Sequence, residues 1–409
     1  MKAPQFFIAT RFTRPLAMCA TVSLLAPCIP ASAASQTPSP RVSLSFGVDT
    51  SITQVRDIVR LTAAYLAHPD TSARSRGLWS AEGSNDPRFA DLATKAYQGF
   101  PATILGITGT GSGDSVFVVK LIHATADSSG TRIRPLALQR FYAIRAPAAP
   151  YGWVLASPLP RLTRDWARRE VGRLTFWYAP GQRQSPEKAR RASIFVDSVA
   201  RLFSVAPPKH LDVYMTASTE EGEKLVGLDF FPDGSGPGTG LGGRTQTGAG
   251  ILFLGDPRVG EDYLHEFVHA AVGANVPSGS GIFGEGVAVW LGGSHEKSPT
   301  TMYSLLRTYQ SAHPSVSMAQ VLNSEAPGGE DATTALYATS GLIVDAIYRR
   351  SGIPGLRRFG QLKGEPNDII KALPDYINAA GSDINQWWRS ETEAALRPQR
   401  CGAACRRPN

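Results

Sequence analysis

The apolar positions along this chain change period twice, and the changes divide it. Between 51 and 67, Ile52, Val55, Val59 and Leu66 recur at the spacing of one helical face, with Ser51 placed to cap the start. A second helical stretch is predicted over 87–99, where Phe89, Leu92, Ala93, Ala96 and Tyr97 share a side. The pattern then turns to β-branched and aromatic residues: ATILGITGT (102–110), SVFVVKLIHA (115–124), PLALQRFYAIR (135–145) and YGWVLAS (151–157) are predicted strands. Gly111-Ser112-Gly113-Asp114 and Asp127-Ser128-Ser129-Gly130 separate them as turns. Helices followed by long antiparallel hairpins predict an α+β domain over 45–158. His123, inside a strand, reads as a structural histidine.

Residues 159–172 form a connector. Its segment RLTRDWARREVG (161–172) is predicted as a basic helix that could face acidic lipid, a partner or solvent. A second domain, 173–398, then begins with a strand at LTFWYA (174–179). An amphipathic helix over 185–204 follows, with Ile194, Phe195, Val199 and Leu202 expected inward. HLDVYMT (210–216) alternates as a strand. PDGSGPGTGLGGRTQTGAG (232–250) is too glycine-rich for regular structure and reads as a long loop, and ILFLG (251–255) reads as a short strand. From about 257 to 398 the pattern is helical, and no internal repeat is present.

Composition narrows the class. With 409 residues, 42% hydrophobic and 19% charged, the chain is too apolar for intrinsic disorder and too mixed for a multispan membrane protein. Its net charge is +8, but the 42 basic residues are scattered rather than blocked, so no nucleic-acid partner is indicated. Residues 1–34 read as an export signal: Lys2, Arg11 and Arg14, a short apolar run from Leu16 to Pro27, then Ala31-Ser32-Ala33. That run falls short of the ~20 apolar residues a bilayer span needs. Cleavage would leave 375 residues with net charge +5, no transmembrane segment, a linker at 35–44 and a tail at 399–409. The expected location is periplasmic or extracellular. Cys19 and Cys28 are poor lipid-attachment sites because Met18 and Pro27 precede them, so a soluble exported protein ranks above a lipoprotein. Cys401 and Cys405 could pair outside the cytoplasm or remain an unlinked tail.

The chemistry lies in EDYLHEFVHAAVG (261–273). Its apolar residues recur every four positions, as on a buried helix, with Asp256 and Pro257 suited to its start and Glu261 and Asp262 to its positive end. His265 and His269 stand one turn apart on one face, where two imidazoles can reach one metal ion. Glu266, one step round the helix, is placed to take a proton from a water on that metal. A third histidine of the metzincin kind is absent, since Asn275 stands where it would fall and Val272 replaces the expected glycine. Instead GIFGEGVAVWLGG (281–293) follows, with Glu285 opening a new helical segment and small Gly286 and Ala288 allowing close packing on the metal helix. Two histidines, one glutamate and an open position make a catalytic rather than a structural Zn2+ site.

HEFVH followed by GEGVAVW resembles the gluzincin metallopeptidases of the peptidase MA-like group. The resemblance implies His265, His269 and Glu285 as zinc ligands and Glu266 as general base. It implies a small mixed sheet followed by a mostly helical part, with ILFLG (251–255) as the edge strand that takes an extended substrate. ALYATSGLIVDAIYRRSGIPGLRRF (335–359) resembles the helix and turn after such a site, which places Tyr337 where a phenol could steady an oxyanion. The 45–158 region resembles the NTF2-like fold in its topology. The resemblance implies an exported zinc metallopeptidase acting on a peptide or protein substrate. Two other readings stay open: an envelope interaction or ligand-binding protein with a structural or vestigial zinc site, and a zinc hydrolase of non-peptide substrates. Among the other histidines, His295 is a rival candidate expected at the surface, and His68, His210 and His313 have no partner in sequence.

Overall fold

The structure is a computed structural model. It describes residues 42–67, 77–80, 88, 97, 100–111, 113–126, 133–230, 243–246, 250–256, 259–273, 276, 278–377 and 383–397. The expected export signal, all four cysteines, His68, most of 87–99 and most of 232–250 lie outside the described residues. The fold is mixed α/β. Two sheets are followed by a run of helices.

The first sheet has the order β1 (Val42–Leu44), β2 (Ala102–Gly109), β3 (Val116–Ala126), β4 (Ile133–Arg145), β5 (Trp153–Ala156). Its long hairpins need a reversal that glycine provides, and Gly111 and Gly113 between β2 and β3 take φ of +77° and +68°. Helix α1 (Thr53–Ala67) lays Ile58, Leu61, Tyr65 and Leu66 on this sheet, in one core with Leu121, Phe141 and Trp153. Ser51 does not cap it: the Ser51 hydroxyl donates to Asp49 Oδ1 at 2.6 Å, two residues before the helix opens. Two strands depart from the expected boundaries. β1, parallel to β2, falls in the expected linker, and β9 (Leu228–Phe230) returns from the second half of the chain to pair with β4. Neither three-residue strand is long enough to show a period.

The helical connector expected over 161–172 is not there. A single turn, α2 (Leu159–Leu162), is followed by strand β6 (Ala167–Val171), antiparallel to β7 (Leu174–Tyr178). The two-residue turn between them opens on Gly172 at φ +60°, which lets the hairpin close. Charge concealed this strand: four of its five side chains are polar or small, and it borrows stability from the wholly buried β7.

The second sheet runs β10 (Gly243–Gln246), β11 (Ile251–Leu254), β8 (Leu211–Met215), β7, β6. The three central strands are parallel and buried along their length, as strands covered on both faces must be. β11 is therefore an interior strand, not the edge expected of it. The edge is β10, inside the segment expected to be a loop, and it pairs antiparallel with β11. With the sequence GRTQ it carries no apolar signal, and only main-chain pairing reveals it. One face of this sheet carries α3 (Pro186–Leu202). The other shares an apolar cluster of Trp177, Tyr214 and Phe253 with Ala137 of the first sheet. Ile194 of α3 is 52% exposed, against its expected inward place, while Phe195, Val196 and Val199 fill the core.

The remaining helices among the described residues are α4 (Thr219–Leu225), then α5 (Leu264–Val272), α6 (Gly281–Gly292), α7 (Pro299–Ala312), α8 (Met318–Leu322), α9 (Glu330–Gly360), α10 (Pro366–Ile377) and α11 (Ile384–Leu396). α9 kinks at Gly352, φ +60°, just before Pro354, so the expected helix and turn over 335–359 are one long helix broken near its end. α6 is held against α9 by Trp290 Nε1, which donates to Asp345 Oδ1 at 2.9 Å. Among the described residues no helix is long and apolar enough to cross a membrane.

Candidate metal centre

α5 is short, and its approach is anchored before it begins. Glu261 and Asp262 do not sit in its first turn as expected; they precede it and bind α3. Buried Glu261 accepts from the Ser185 main-chain N–H, at the start of α3, and from the Tyr178 hydroxyl at 3.2 Å. Asp262 pairs with Arg191 at 2.7 Å. Phe267, Val268, Ala271 and Val272 then bury one side of α5, which orients the other.

α6 crosses α5. Ser280 caps it by accepting from the Phe283 N–H at 3.3 Å, so Glu285 lies in its second turn rather than opening it. The expected role of Gly286 also changes. A Cβ there would stand 2.5 Å from Ser340 O, so Gly286 fits α6 to α9 and not to the histidine helix. Gly292 makes the other contact: its Cβ would stand 2.6 Å from His265 N. Gly293 follows at φ +73° and turns its carbonyl to the histidine.

The result is a convergence of three donor atoms. His265 Nε2 lies 3.3 Å from His269 Nε2 and 3.1 Å from Glu285 Oε2, and His269 Nε2 lies 3.7 Å from the same oxygen. Arms of ~2.0–2.1 Å at tetrahedral angles imply ligand-to-ligand distances of ~3.3–3.4 Å, so the set matches what one zinc ion requires. The tautomer fits as well. His265 Nδ1–H donates to the Gly293 carbonyl at 2.8 Å, which can only accept, and this leaves Nε2 to face the other two donors. His265 is sealed, with a side chain 5% exposed, whereas His269 and Glu285 are 22% and 32% exposed, so the cluster opens to solvent on one side.

Without a cation, these groups must share protons. Burial alone would lower the His269 pKa, but the hydrogen bond and charge of Glu285, with the charge of Glu266, raise it to about 9. Glu285 moves the opposite way: burial opposes its ionisation, yet the two imidazoles hold its carboxyl well below the usual range. Buried Glu266 does not join the three donors, but its charge is felt by His269, Tyr263 and Tyr337. Tyr337, from α9, places its ring centroid 6.0 Å from that of His265. The Glu285 charge first, then burial, pushes its phenol far above the ordinary value, so it stays an O–H donor.

Sequence reasoning did not single out Tyr263 or Gly293. Tyr263 stacks on His265 at 5.9 Å between centroids and accepts the His295 main-chain N–H at 3.3 Å. An aromatic two residues before His265 and a Gly-Gly at the end of α6 were the available signals. The other histidines lie elsewhere. His295 is exposed beside Ser294, His210 meets Asp212 at 3.3 Å, and His313 follows α7 against the Tyr309 ring. His123 is buried in the first sheet, with Nε2 2.9 Å from Gln139 Oε1.

No protein-family model matches the sequence, and no curated protein does. Solved structures similar to the chain are M1 zinc metallopeptidases. A two-domain M1 zinc metallopeptidase bound to L-arginine aligns at TM-score 0.32 and 13% identity, over 76% of this chain and 64% of its own. An M1 zinc metallopeptidase from Deinococcus radiodurans bound to a Tyr-Ser-Ala substrate gives 0.31 and 13% over the same shares. A further M1 zinc metallopeptidase structure from that organism gives 0.29 and 13%. The chain spans about 64% of the length of these proteins, and a likeness this distant assigns neither family nor activity.

Proposed function

We propose that this chain is an exported zinc metallopeptidase of the gluzincin kind, with His265, His269 and Glu285 as ligands and Glu266 as general base. The observation that carries the reading is the tetrahedral spacing of the three donor atoms, together with a fourth side open to solvent. Zinc bound there would polarise a scissile carbonyl and bring the pKa of its water towards ~7. Glu266, adjacent to His265 on α5, takes the proton of the attacking water and passes it to the leaving amine. Tyr337 keeps its proton and donates a hydrogen bond to the oxygen on which charge develops. Gly293 and Tyr263 hold the His265 ring in place. Edge strand β10 runs beside α5, where an extended peptide could pair by main-chain hydrogen bonds, and this favours a peptide over other substrates. We also read the first sheet and α1 as an NTF2-like module; the helix laid across long antiparallel hairpins supports that reading.

The test is Glu266→Gln. Zinc should be retained at wild-type stoichiometry, and turnover of a peptide library should fall by at least about a hundredfold. Undiminished cleavage would sink the assignment of the base. A library left intact by the zinc-loaded wild type would point to a non-peptide substrate, and unfolding on chelation to a structural metal.

A further inference from the structure

Residues 161–201 hold ten Arg and Lys against four Asp and Glu, so a tenth of the chain carries +6 of its net +8. The fold gathers much of that charge on one face. Arg169 of edge strand β6 donates to Gln184, just ahead of α3, at 3.0 Å. Arg173, in the β6–β7 turn, pairs with Asp197 of α3 at 2.9 Å. A Cβ on Gly172 of the same turn would stand 2.5 Å from Ser193 Oγ. The outer face of α3 is thus continuous with the open edge of the second sheet.

Carboxylates neutralise this face only in part. Arg191 is met by Glu187 and Asp262, both at 2.7 Å, and Lys188 lies 3.5 Å from Asp262. Arg183 and Arg190 are exposed and have no carboxylate partner among the described residues. One turn beyond Arg190 stands Ile194, 52% exposed on a helix whose opposite face is buried. Helix and core do not require an aliphatic side chain there, since the core positions are filled by its neighbours Phe195, Val196 and Val199.

Guanidinium forks bind phosphate oxygens in pairs, and an aliphatic side chain among them can enter the hydrocarbon beneath a phosphate layer. We propose that this face docks the protein on an anionic phospholipid surface, with Arg183 and Arg190 on headgroup phosphates and Ile194, one helical turn beyond Arg190, inserted beside them. An acidic polypeptide would use the arginines but leave Ile194 without a purpose. A few unpaired charges and one anchor make a reversible, salt-sensitive attachment, and it does not depend on the peptidase reading.

The full chain is sedimented with phosphatidylcholine vesicles, with and without phosphatidylglycerol. Residues 1–34 are common to every variant, so differences between variants report the face alone. Anionic vesicles should bind it at least about tenfold more tightly than neutral ones, with the preference lost at high salt. R183E/R190E should remove that preference, I194S should weaken binding by about threefold, and R56E/R60E on α1, the same change of charge, should alter nothing. Equal binding to both vesicles would overturn the proposal, as would wild-type binding by R183E/R190E. Capture by polyaspartate in place of anionic vesicles would overturn it in favour of an acidic polypeptide.

Discussion

Histidine occupies two opposite environments in this molecule. In the first sheet, His123 sits between Ala102 of β2 and Ala137 of β4, almost wholly buried, with its Nε2 on the neutral Gln139 amide and its ring stacked on Tyr97 at 5.4 Å. No formal charge enters that contact. At the α5–α6 crossing, His265 and His269 face one another and a carboxylate at 3.1–3.7 Å. Two nitrogens of like polarity that close repel unless a proton or cation stands between them. The first arrangement sets a histidine against a neutral amide, whereas the second asks for an ion.

The largest expected effect breaks the second region only. Glu285→Gln should weaken zinc binding by at least about a hundredfold, beyond the range for losing an outer partner, while His123→Gln leaves zinc content unchanged. Atomic emission on dialysed protein reads both; full retention by Glu285→Gln would remove that residue from the ligand set. Packing separates the regions next. Ile104→Ala, in the first core, should cost about 2–5 kcal/mol in denaturant unfolding with no change in zinc affinity. Gly292→Ala should cost about 1–3 kcal/mol and also weaken zinc, because its methyl would press on the His265 backbone. Equal zinc affinity in the two variants would show that the crossing does not set the ligand geometry.

The smallest effect is in pH. In the metal-free protein His269 binds its proton more tightly than the usual 6.5, up to about 9. Its contribution to stability is therefore complete below about pH 6.5 and disappears as pH rises through 9. Glu285, depressed by the same pair, contributes above the usual carboxylate range and loses its contribution as pH falls. Metal-free protein should melt at a lower temperature at pH 9.5 than at pH 7, and His269→Gln should flatten that difference. Zinc must displace the His269 proton, so its affinity should climb as pH rises towards 9.

Much of the architecture was legible wherever burial imposes a period. α1, α3, β2 to β5, β7, β8 and β11 all lie close to where the apolar pattern places them. The failures share a cause. β6 and β10 sit at sheet edges, are short and are polar, so hydrogen bonding to a buried neighbour holds them rather than their own side chains. Ile194 was misplaced for the converse reason: apolarity alone does not say which flank of a broad helical stripe meets the core.

Local periodicity was enough to put His265 and His269 one turn apart on a helix with a buried back, because 3.6 residues per turn leaves no alternative. It was not enough to bring Glu285 to them. That meeting depends on how closely α6 can cross α5, which a bare Gly292 permits, and on the carbonyl that Gly293 offers at a backbone angle open to glycine. Spacing along one helix is a property of the chain, whereas the approach of two helices is settled by what fills, or leaves empty, the space between them.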